Sequence, residues 1–191
     1  SKEFFGMKPV LNFHQLTALP LNFYFHLIML GAILGVLGVL FNLLLLKTQE
    51  LYAAIKRVPD WVKMLFPFFA AGVVGLLIPQ VLGGGNELIS SLTEGGIVIR
   101  MALVLLLVKF FFTMISYGSG APGGIFLPML AIGALIGSIY GSAASIIFHM
   151  NTTYIATFIV LAMAGYFTAV VRAPITGVIL ITEMTGSFNH M

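Results

Sequence analysis

The sequence has 191 residues, 60% of them hydrophobic and only 8% charged, with a mean hydropathy of +1.09. A soluble domain carries about 25% charged and about 45–50% apolar residues, so this much apolar side chain cannot be covered by the polar surface available to a 20.6 kDa globule. A soluble enzyme, a nucleic-acid binder and a disordered chain are excluded, and the bilayer is the solvent. At about 20 apolar residues per helical span, the length allows roughly five to seven membrane segments. The net charge of +3 bears on topology and implies no nucleic acid. There is no cysteine for a disulfide, a thiolate metal site or a nucleophile. His14, His26, His149 and His190 are scattered, never at a metal-ligand spacing, and no metal site is expected.

Residues 1–20 are mixed, end at Pro20 and read as a loop. Phe23 to Leu46 is an apolar run long enough to span with tilt. Its Gly31, Gly35 and Gly38 would let another helix come close. The helical pattern runs on to about Arg57, before Pro59. Residues 47–63 hold Lys47, Glu50, Lys56, Arg57, Asp60 and Lys63, and this excess of positive charge predicts a cytoplasmic loop. Met64 to Leu82 reads as a second span, Gly83-Gly84-Gly85-Asn86 as a turn, Glu87 to Ser91 as a short helix, and Ile97 to Tyr117 as a third span.

Beyond Arg100 the only charges are Lys109, Arg172 and Glu183, so this half lies almost wholly in the membrane. It does not divide into clean spans. Ile125 to Phe148 is apolar, Asn151-Thr152-Thr153 is a polar break and a candidate N-cap, Ile155 to Val171 is short, and Ala173 to Thr182 is shorter still. Short segments cut by Gly and Pro predict discontinuous or re-entrant helices that line a cavity or are buried in protein. Gly133, Gly137 and Gly141 form a small-residue stripe, as do Gly165, Ala169, Ala173 and Gly177, with Pro174 dividing the second; both read as close helix packing. Lys109 within a span reads as a snorkelling or structurally paired lysine, the alternative being a contribution to positive potential along an anion path. Glu183 reads as a buried anchor, the alternative being a proton carrier.

The informative stretch is Gly118 to Pro128, Gly-Ser-Gly-Ala-Pro-Gly-Gly-Ile-Phe-Leu-Pro. No helix runs through its first seven residues, yet apolar segments flank it. A helix starting near Gly124 to Phe126 leaves its first N–H groups without intrahelical partners, and Pro128 is acceptable in that first turn. Free amides at the positive end of a helix dipole make an anion site. The dipole supplies about 1–2 kcal/mol at best, so several donors must converge. Weak binding suits a conducted ion, which must also leave. A Gly/Pro kink between two helices explains the same residues equally well.

Gly120-Ala121-Pro122-Gly123-Gly124-Ile125-Phe126-Leu127-Pro128 resembles the GxFxP-type signature of the CLC chloride channels and chloride/proton antiporters. Arg172-Ala173-Pro174-Ile175-Thr176-Gly177, then Glu183-Met184-Thr185, resembles a later stretch of that family, and the Gly83–Asn86 turn fits upstream. The resemblance covers nearly the whole chain but only the second of the family's two inverted repeats. It implies an all-α, polytopic membrane protein with discontinuous and re-entrant helices, residues 1–191 forming one incomplete membrane domain. It implies chloride transport without covalent chemistry and without a cofactor, chloride being held by backbone N–H groups at Gly124, Ile125 and Phe126. It implies a multi-pass position in the plasma membrane, a homodimer, and a first repeat supplied by the rest of a longer protein. The family's gating and proton glutamates and its pore tyrosine have no match here, so channel and antiporter both stay open. A small structural or assembly membrane protein and an unrelated solute transporter are the rival readings.

Overall fold

The computed structural model describes residues 23–55, 58–83, 85–93, 97–121 and 123–185, without the side chains of Asp60, Trp61 and residues 180–185. The described residues form seven α-helices: α1 (Tyr24–Ala54), α2 (Asp60–Leu77), α3 (Asn86–Thr93), α4 (Ile99–Gly118), α5 (Phe126–Phe148), α6 (Tyr154–Val171) and α7 (Pro174–Thr185), with a 3₁₀ turn at Pro79–Val81 between α2 and α3. Four of them, α1, α4, α5 and α6, are long and apolar enough to cross a membrane.

The second span is shorter than the apolar run of the sequence suggests. Its helix starts at Asp60 and stops at Leu77, and its apolar part, Val62–Leu77, falls below spanning length. Pro79 sets the stop. The residue before a proline is driven out of the α region, and Ile78 is extended, with φ −144° and ψ 74°. The turn that follows needs glycine at Gly83 and Gly85, whose φ values are +68° and +95°. Asn86, read as part of the turn, is the first residue of α3.

At the centre is α5. Every residue from Met129 to Ser138 is buried, so this helix is enclosed on all sides by α1, α3, α4 and α6. Its most extensive partner is the antiparallel α6. Gly133, Gly137 and Gly141 make that contact possible. A Cβ at Gly137 would lie 2.6 Å from the Phe158 carbonyl oxygen and 2.7 Å from the Ile159 Cα, and one at Gly133 would lie 2.9 Å from the Met163 Cα. The second stripe divides at Pro174. Gly165 meets Leu34 of α1 and Ala169 meets Gly38, whereas Gly177 of α7 folds back on Thr168 and the Ala164 carbonyl of α6. Of the three glycines in α1 only Gly38 carries a close helix contact; a Cβ at Gly31 or Gly35 meets nothing within 4 Å.

Several polar groups inside the bundle bond to one another or to backbone, whereas the hydroxyls of Tyr117 and Tyr166 have no partner among the described residues. Asn42 donates through Nδ2 to the Val170 carbonyl at 3.0 Å. His26, buried at the start of α1, has its Nδ1 3.0 Å from the Tyr140 hydroxyl, and that hydroxyl lies 3.1 Å from the His26 carbonyl. Asn151 caps, but not as the N-cap itself: its Oδ1 accepts from the Thr153 amide at 3.0 Å, a local turn just ahead of α6.

Candidate anion site at the start of α5

The Gly118–Pro128 stretch is a helix break. The α4 helix ends at Gly118, a position without a side chain because Thr48 and Tyr52 of α1 press against it. Ser119 then ties the loop, its Oγ donating to the Ser116 carbonyl at 2.7 Å and accepting from the Ala121 amide at 3.3 Å. Gly120 takes φ +77°, the left-handed region open to glycine. Gly123 and Gly124 are exposed backbone.

The first helical bond of α5 runs from the Met129 amide to the Ile125 carbonyl at 3.1 Å, which makes Ile125 the cap and Phe126 the first helical residue. No side chain caps this end. Among the described residues no acceptor meets the amides of Gly124, Ile125 and Phe126. Pro128 is the third helical residue, where a missing N–H is harmless. The three residues read from sequence therefore come together as consecutive amides at one open helix end. Half-buried Ile125 and Phe126 line it, and the Phe126 ring meets Phe167 of α6 edge-on at 5.3 Å. Phe167 belongs to the last turns of α6, so the break between α6 and α7 lies near the start of α5. That break is made by Arg172 in the left-handed conformation (φ 61°), followed by Pro174.

Lys109 does not line this end. It is 1% exposed, and its Nζ donates to the Val81 carbonyl at 2.7 Å and the Gly83 carbonyl at 2.8 Å. It is the structurally paired lysine, not a snorkelling one. Its partners are backbone carbonyls of a turn 26 and 28 residues earlier, and no residue pattern in the sequence signals them. The Glu183 side chain lies outside the described residues. Tyr117, at the end of the third span, has its hydroxyl 3.8 Å from where a Cβ on Gly123 would stand.

Comparison with known proteins identifies what the chain as a whole is similar to. Residues 1–191 match the voltage gated chloride channel family. The chain is 35% identical over 189 residues to the H(+)/Cl(-) exchange transporter ClcA of Salmonella arizonae, covering 97% of this chain and 40% of that protein. The ClcA transporter of Salmonella paratyphi B matches to the same extent, 35% over 189 residues. The crystal structure of a slow cyanobacterial Cl−/H+ antiporter superposes with a TM-score of 0.84 at 26% identity, over 98% of this chain and 44% of that one. The chain thus spans about two fifths of the length of the curated relatives it matches. Matched from its first residue to its last, and sharing the fold of an antiporter, the chain belongs to the voltage gated chloride channel family.

Proposed function

We propose that this chain is the second-repeat portion of a CLC-type transporter that moves chloride across a membrane, and that the amides of Gly124, Ile125 and Phe126 hold the ion. The observation that carries this reading is the uncapped start of α5, where three consecutive amides without described acceptors face exposed glycine backbone. Neutral donors at a helix N-terminus attract an anion without trapping it behind a fixed charge. The ion is cargo; no bond is made or broken, and no resident cofactor is needed. One helix start supplies too few donors to replace a hydration shell, so a first repeat supplies the rest.

The relatives named above are exchangers, which favours proton-coupled antiport over a passive channel. The exposed apolar face of α7, with Ile175, Val178 and Ile179, supports association with a second copy. Diffraction from crystals of the full-length protein soaked in bromide tests the site. An anomalous peak within hydrogen-bonding distance of the Ile125 and Phe126 amides is expected, and bromide bound only elsewhere would refute it. Proton movement driven by a chloride gradient in liposomes, in a fixed ratio to chloride flux, tests exchange against channel activity.

A further inference from the structure

We draw no further inference here: the strongest candidate, the exposed apolar groove on α7 lined by Pro174, Ile175, Val178 and Ile179, is the face already read above as meeting a second copy, and nothing further in the structure shows what covers it.

Discussion

The Lys109 ammonium donates to the Val81 carbonyl at 2.7 Å, joining the middle of α4 to the turn that follows α2. The same nitrogen holds Gly83, and the next described residue, Gly85, packs against Ala131 of α5. One side chain thus fastens a glycine turn against the first two turns of α5. A charge at this depth is tolerated because the carbonyl dipoles replace water.

Lys109→Met therefore destabilises the protein, because it strands the buried Val81 carbonyl and the partly buried Gly83 carbonyl, which no apolar side chain can satisfy. A loss of about 1–3 kcal/mol is expected, offset in part by removal of a desolvated charge. Thermal unfolding in detergent measures it. A melting temperature equal to wild type would mean that the two bonds contribute nothing.

The glycines of the central helix pair differ in what surrounds them, and alanine substitution ranks them. At Gly137 a methyl group would strike backbone of α6 at 2.6 and 2.7 Å, so Gly137→Ala forces α5 and α6 apart at a cost of about 1–3 kcal/mol. At Gly141 the nearest atom is 3.2 Å away, and the cost is smaller. Gly31 is open, so Gly31→Ala is neutral or gains about 0.5–1 kcal/mol of helix propensity. The three melting temperatures should fall in that order; Gly137→Ala melting at or above Gly31→Ala would contradict the packing.

At the site itself, backbone and side chain are separable. Phe126→Ala removes the edge-on contact with Phe167, worth about 0.5–1.5 kcal/mol beyond the area buried, yet keeps the amide. Phe126→Pro removes the donor at a first-turn position, but proline disfavours the αR conformation of Ile125 before it, so the variant's fold is checked by its melting temperature. Calorimetric titration with bromide should show a modest weakening for the first and a much larger one for the second. The reverse order would place the anion on the ring and not on the main chain.

Residues 1–191 reconstituted alone should carry no chloride current. The start of α5 alone offers too few donors, and the surfaces meant for other parts would meet lipid at several kcal/mol per unsatisfied backbone group. Chloride efflux from liposomes, compared with empty vesicles, decides this. Selective flux above the empty control would show that the second repeat suffices.

The long apolar runs and the break before α5 were legible because composition alone dictates them: leucine-rich stretches need a helix in lipid, and Gly118 to Gly124 cannot continue one. The start of α5, read as lying near Gly124 to Phe126, falls within that range, and the division at Pro174 was readable too. The end of α2 was misjudged because hydropathy carries on past Leu77 while the constraint of Pro79 on Ile78 does not register in hydropathy. Lys109 could be seen to need partners, but a backbone carbonyl has no residue signature. Nothing in the sequence signals the approach of Tyr117 to Gly123, which only the folded loop brings about. Gly31 and Gly35 share the spacing of Gly38 but not its neighbour, since periodicity names a stripe and not what faces it.

The all-round enclosure of α5 also constrains how a transport cycle can work. A helix seated by Gly133, Gly137 and Gly141 against the backbone of α6 has one longitudinal position. Sliding by a turn, about 5.4 Å, would carry Met129 toward the place of Gly133 in one direction and Ser145 toward that of Gly141 in the other, where a side chain would meet the backbone of α6. In the function proposed above, the amides at its start would therefore be the fixed part of the site.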